Sequence, residues 1–151
     1  MLRELDELRL VTRLREATPA DAASITRLMN ILGYPTSVAA MRTRLEVICS
    51  RLDYHTVVAE VGGEVRGMIG LRSGVVYECD RPCVQVLVLV VDEKGQETGV
   101  GAALLREADA WAEELGAARI ILTSGKYRSV AHRFYELHGY EPTGVRFVKT
   151  A

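Results

Sequence analysis

The sequence predicts one α/β domain in which a mixed, mostly antiparallel central sheet is flanked by helices, and three observations carry that expectation. Its 151 residues suit a single domain with a substantial core, and no linker, repeat or low-complexity tract divides them. Segments of period two, or of continuous apolar character, alternate with segments of helical period along the chain. Two apolar stretches, 83–91 and 119–123, are joined through a helical segment, and such a crossover favours placing both strands in one sheet.

Element by element, Leu2, Leu5 and Leu8 recur between charges, so residues 1–9 form an N-terminal arm or short helix and the domain proper runs from 10 to 151. Leu10 to Arg15 alternates as a first strand. Thr18, Pro19 and Asp21 have the chemistry of a capped helix start, followed by the stripe Ile25, Leu28, Met29 and Leu32. After the break at Gly33–Ser37, Ser37 can cap a second helix bearing Val38, Met41, Leu45 and Ile48. His55–Val61 and Val65–Leu71 flank Gly62–Gly63 as a hairpin. Val75–Glu78 extends the meander, Asp80–Pro82 is expected to reverse it, and Cys83–Val91 is expected to be the central strand, buried on both faces. A polar loop then leads to a helix from about Gly99 to Leu115 with Val100, Leu104, Ala108, Trp111 and Leu115 on one face, ended by Gly116. Arg119–Thr123 is a strand, Ser129–Leu137 a short helix with Val130, Phe134 and Leu137 inward, and Val145–Lys149 a last strand.

Composition narrows the partners. Nineteen Lys and Arg against twenty Asp and Glu give a net charge of -1, so no global field attracts nucleic acid or an anionic membrane. The longest apolar run, Val86–Val91, is far short of the roughly 20 residues of a membrane helix, and the N-terminus has no secretory pattern. Three cysteines, Cys49, Cys79 and Cys83, make an odd set that fits a reducing cytoplasm. Cys79 and Cys83 have no second closely spaced Cys/His pair, so no metal site is expected.

The most informative stretch runs from Val88 through Asp92 to Gly101, where a buried strand passes through a polar loop into a helix that starts with Gly99-Val100-Gly101. First-turn N–H groups lack intrahelical acceptors, the helix end carries about half a positive charge, and glycine lets an anion come close. Taken alone, the glycine pair is as well explained by a tight turn. A dinucleotide fingerprint is broken by Leu104, and no Gly-Lys-Ser/Thr follows Lys94-Gly95.

Gln96-Glu97-Thr98-Gly99-Val100-Gly101 resembles the Gln/Arg-x-x-Gly-x-Gly/Ala signature of the GNAT superfamily of N-acetyltransferases, and Ala131–Tyr140 resembles that superfamily's Ala-x-x-Phe-Tyr-x-x-x-Gly-Phe/Tyr segment. The resemblance extends over nearly residues 10 to 150 and implies a GNAT-like acyl-CoA N-acyltransferase fold using acetyl-CoA. It implies pyrophosphate binding by Gln96, Glu97, Thr98, Gly99, Val100, Gly101 and Ala102, and main-chain pairing of Leu89, Val90 and Val91 with the pantetheine arm. His132 lies on the helix that the resemblance turns toward the coenzyme. Arg128 stands where relatives often carry Asn; it could reach a coenzyme phosphate or be simply solvated.

Acetyl transfer to an amine needs a neutral amine, a stabilised oxyanion and a proton for the thiolate. The resemblance implies Tyr135 as general acid, an N–H near Leu89 or Val90 for the oxyanion, and an acceptor cleft around Tyr34, Pro35 and Tyr77. Glu78 is the candidate base, although a solvated turn residue explains it equally well. The expected reaction is direct attack by the primary amine of a small molecule in a ternary complex. A protein or peptide acceptor, or a catalytically silent acyl-CoA sensor, is the alternative. A homodimer is compatible with the resemblance, with the N-terminal arm or last strand contributing.

Overall fold

The computed structural model describes residues 12–96, 98–124 and 129–151. The N-terminal arm, Glu97 and Arg128 lie outside the described residues. Strand β1 (Thr12–Glu16) leads through a short turn of 3-10 helix to α1 (Ala22–Leu32) and α2 (Val38–Cys49). Strands β2 (Tyr54–Val61), β3 (Glu64–Val76) and β4 (Cys79–Val91) follow as an antiparallel meander. Helix α3 (Val100–Leu115), strand β5 (Arg119–Leu122) and helix α4 (Ser129–Leu137) complete the order. The sheet is ordered β1-β2-β3-β4-β5, and the α3 crossover makes β5 the member that renders the sheet mixed.

The local signals explain the helix ends. Thr18 and Asp21 form a capping box ahead of α1, and the Ser37 hydroxyl accepts from Ala40 N–H at 3.1 Å at the start of α2. Gly116, at φ 66°, closes α3: its N–H donates to Glu113 O and that of Ala117 to Ala112 O, a left-handed ending that glycine adopts without Cβ strain.

Two layers of helix cover the sheet. Met68, Val58 and Val90 join Ile25, Leu28, Met41 and Leu45 in one core under α1 and α2. A Cβ on the adjacent Gly67 would lie 3.1 Å from Val100 Cγ1 and 3.3 Å from Leu104 Cδ1, so α3 packs on the opposite face. Residues 122–151 form a smaller compact unit. Within it, Phe134 meets Tyr135 and His138 ring to ring, and Tyr135 meets Tyr140 at 6.2 Å.

Four expectations are corrected. The β3–β4 reversal is at Tyr77–Glu78, because Val76 pairs with Cys79, and β3 runs unbroken through 75 and 76. Gly74 pairs with Cys83, so Asp80, Arg81 and Pro82 stand against Val75 alone: the turn-forming residues make a bulge, where a missing proline N–H is tolerated. The middle strand is β3, and β4 is not buried on both faces, since Leu87 is 47% exposed. No residue of α4 is buried, Val130 and Leu137 included, and residues 145–149 carry no strand.

Gly67 sets how closely α3 approaches the sheet, because the third neighbour of its missing Cβ is the Val90 carbonyl oxygen at 3.1 Å, a backbone atom that cannot rotate away. Gly67→Ala is expected to cost about 1–3 kcal/mol by overpacking. Urea unfolding checks this, and an unchanged midpoint would show that the helix yields freely.

Candidate active site

The connection between β4 and α3 is built around Asp92, which is 3% exposed. Its Oδ1 accepts from Gly95 N–H at 2.8 Å, and its carbonyl oxygen accepts from Gly95 N–H at 3.1 Å and Gln96 N–H at 3.0 Å. Oδ2 receives Nη1 of Arg27 at 2.8 Å and Nη1 of Arg66 at 3.3 Å. Asp92 N–H donates to Arg66 O at 2.7 Å, which holds the end of β4 on β3. Burial pushes the Asp92 carboxyl up, but the Gly95 N–H and the Arg27 and Arg66 guanidiniums outweigh it and leave the group below its usual value. Gly95 is sterically required: a Cβ there would lie 2.8 Å from Val91 Cγ1 and 3.0 Å from Arg66 Cβ.

From this anchor the chain turns through Thr98, whose hydroxyl donates to Gly95 O, to Gly99 at φ 81°. No side chain caps α3. Ala103 N–H is bonded to Gly99 O at 3.0 Å, so the N–H groups of Val100, Gly101 and Ala102 precede the first intrahelical bond. Among the described residues nothing beyond its chain neighbours lies within 4 Å of a Cβ placed on Gly99. Three backbone donors at a positive helix end, with no side-chain cap among the described residues, fit a diphosphate. Val100 itself is buried and fixes the helix start on the sheet.

Leu89, Val90 and Val91 lie just before this loop, paired through β3 with Ile69, Met68 and Gly67. Gln96 stays beside them, with its Nε2 3.4 Å from Val91 O. On the other side of β4, the Ala118 N–H donates to Pro82 O at 2.8 Å, so the four residues of β5 start alongside the opposite end of the strand. Tyr34 follows the end of α1 and is 60% exposed, with its N–H donating to Met29 O; Pro35 is exposed next to it. Tyr135 and His132 lie on α4.

Tyr77 and Glu78 form the exposed tip of the β3–β4 hairpin, which separates them from the rest. Eleven positions along β4 separate Glu78 from Leu89, roughly 30 Å or more at about 3.3 Å per residue with allowance for bulges. An amine attacked beside Leu89 would be out of direct reach of a carboxylate at that tip; Glu78 as base and Tyr77 as a wall of the acceptor cleft would require the acceptor to extend toward it. Sequence reasoning missed Arg27 and Arg66 as supports of the loop, because neither is near Asp92 in sequence.

A polar cleft of about 320 Å³ lies beside this brace, lined by residues that include Arg15, Asp21, Arg27, Glu60 and Arg66. Its guanidiniums are all engaged: Arg15 with Asp21 and Glu60, Arg27 with Asp92, and Arg66 with Glu64 and Asp92. The cleft therefore offers an incoming anion no unpaired guanidinium.

The model of the acetyltransferase (GNAT) family matches residues 24–140. The chain belongs to the GNAT family. It is an N-acetyltransferase, and GNAT enzymes use acetyl-CoA. The chain is similar to aminoalkylphosphonate N-acetyltransferase of Salmonella typhimurium, 29% identical over 157 aligned positions that cover 99% of this chain and 97% of that relative. Its fold is shared with a putative acetyltransferase from Agrobacterium tumefaciens, at TM-score 0.82 and 20% identity over 92% of this chain and 99% of that one. It is shared too with the aminoglycoside N-acetyltransferase AAC(6')-Iy in complex with CoA, at TM-score 0.80 and 17% identity over 92% and 94% of the two chains.

The lowered Asp92 pKa implies that its pairing stabilises the fold at neutral pH, above the unfolded value near 3.9, and that this contribution fades as the pH falls through the still lower folded value. Asp92→Asn keeps the Gly95 acceptor and removes the charge, so it is expected to cost about 1–3 kcal/mol at pH 7 and progressively less below about pH 4. Urea unfolding of both proteins at pH 7 and pH 3 measures this; an equal gap at the two pH values would contradict it.

Proposed function

We propose that this enzyme transfers the acetyl group of acetyl-CoA to the primary amine of a small molecule, by direct attack in a ternary complex. The observation that carries the donor half is the uncapped start of α3, where the Val100, Gly101 and Ala102 N–H groups stand free of intrahelical acceptors behind an open left-handed Gly99. The acceptor half is supported by the full-length similarity to an enzyme named for aminoalkylphosphonates, which are small amines.

In this reading the loop from Gln96 through Glu97, Thr98, Gly99, Val100 and Gly101 to Ala102 receives the pyrophosphate, and Leu89, Val90 and Val91 present main-chain groups to the pantetheine arm. Arg128 and His132 are the further coenzyme contacts that the family resemblance implies. Bound acetyl-CoA supplies the thioester whose carbonyl carbon the amine attacks. The N–H of Leu89 or Val90 donates to the oxygen as charge builds on it. As the C–S bond breaks Tyr135 gives its phenolic proton to the departing sulfur, the attacking nitrogen loses a proton to solvent, and Tyr135 is reprotonated from solvent. Tyr34 and Pro35, at the exposed link between α1 and α2, border the amine.

Two variants separate binding from chemistry. Gly101 has ordinary helical geometry, and an acidic residue in a first helical turn favours the helix, so Gly101→Asp should fold while its charge meets the pyrophosphate. Calorimetry is expected to show CoA affinity at least about tenfold weaker; equal affinity would remove the loop from the binding site. Tyr135→Phe is expected to keep CoA affinity and to lower kcat by about 10²–10⁴-fold. Thiol release with acetyl-CoA over aminophosphonates, aminoglycosides, polyamines and N-terminal peptides reads both the turnover and the acceptor. Turnover confined to peptides would overturn the small-amine assignment, and tight CoA binding with no turnover on any amine would favour a sensor.

A further inference from the structure

The Asp92 carboxylate is held by a residue from a distant part of the chain. Arg27, on α1, places Nη1 2.8 Å from Asp92 Oδ2 and Nη2 2.6 Å from the Val65 carbonyl oxygen. One planar guanidinium thus joins α1 to the start of β3 and to the end of β4. Arg66 also reaches Oδ2, but at 3.3 Å and with its other nitrogen engaged by Glu64. With Oδ2 fixed by Arg27, Oδ1 has one orientation left, the one that accepts Gly95 N–H at 2.8 Å and sets the turn leading into Gly99.

We propose that Arg27 is a positioning residue for coenzyme binding: through Asp92 it fixes the Gly95–Gln96 turn, and so the direction in which the first amides of α3 point. This rests on the reading that these amides hold the pyrophosphate. Arg27 is nearly half exposed at its side chain, and in this inference it acts on the coenzyme through Asp92. Its removal leaves Asp92 paired with Arg66, so no buried charge is orphaned and the protein folds. Lysine is a point donor on a flexible stem and cannot bond Asp92 and Val65 in one plane.

The test is calorimetric CoA affinity of the wild-type protein, Arg27→Met, Arg27→Lys, Asp92→Asn, the Arg27→Met/Asp92→Asn double variant and Arg15→Met, each with a melting curve. Arg15→Met breaks the partly buried pair with Asp21 without touching the loop, and so reports general destabilisation. The expected pattern is a roughly tenfold rise in Kd for Arg27→Met, a smaller rise for the lysine variant, and a double variant no weaker than the weaker single. Arg15→Met lowers Tm and keeps the wild-type Kd. In turnover, Arg27→Met raises KM for acetyl-CoA and leaves kcat at saturation unchanged. Wild-type affinity in Arg27→Met, additive losses in the double variant, or an equal loss in Arg15→Met overturns the inference while leaving the coenzyme site standing. Failure of the wild-type protein to bind CoA overturns both.

Discussion

A buried carboxylate survives in a fold only when donors surround it, and Asp92 gathers its donors from three places at once. Gly95 comes from its own loop, Arg27 from α1 and Arg66 from β3. Satisfying one charged group therefore joins a helix, the middle strand and the β4–α3 connection. The path of the chain into α3 follows from it. Gly95 packs where no Cβ fits, Gly99 turns left-handed, and Val100 seats the helix on the sheet over Gly67.

This arrangement separates the source of positive potential from the count of basic residues. The protein carries a net charge of -1, and the two arginines that brace the loop, Arg27 and Arg66, are already paired with carboxylates. In the proposed function an anionic coenzyme meets the oriented dipole of α3 and its first amides, at the end of a loop braced by those same ion pairs. In the proposed reading, arginine acts on the phosphate indirectly, by fixing a turn. A fixed set of backbone donors needs little reorganisation when ligand arrives, which is where preorganised sites gain affinity.

What was legible in the sequence was what local chemistry decides. The capping box at Thr18–Asp21, the Ser37 cap, the Gly62–Gly63 hairpin and the span of α3 follow from residues within a few positions of one another. The loop was legible for the same reason, since Gly99 and Gly101 mark a strand-to-helix turn that keeps side chains away. Asp80-Arg81-Pro82 has the composition of a turn, yet pairing of Val76 with Cys79 takes the reversal to Tyr77–Glu78 and turns that tripeptide into a bulge. The same register puts Glu78 at the tip of the hairpin, just ahead of the thirteen-residue strand that ends at the loop. The apolar and β-branched residues of 145–149 suggest a strand, but such composition supplies no partner for the backbone. Arg27 lies 65 positions from Asp92, and no periodicity or motif connects them.

The central claim is that the first amides of α3 receive the coenzyme's diphosphate, and amide hydrogen exchange observes those groups themselves. Exchange at Gly99 to Ala102 is to be followed residue by residue, with and without saturating acetyl-CoA. The account predicts marked slowing at Val100, Gly101 and Ala102, larger than at the exposed β3–β4 tip. Protection elsewhere with no change at these amides would contradict it.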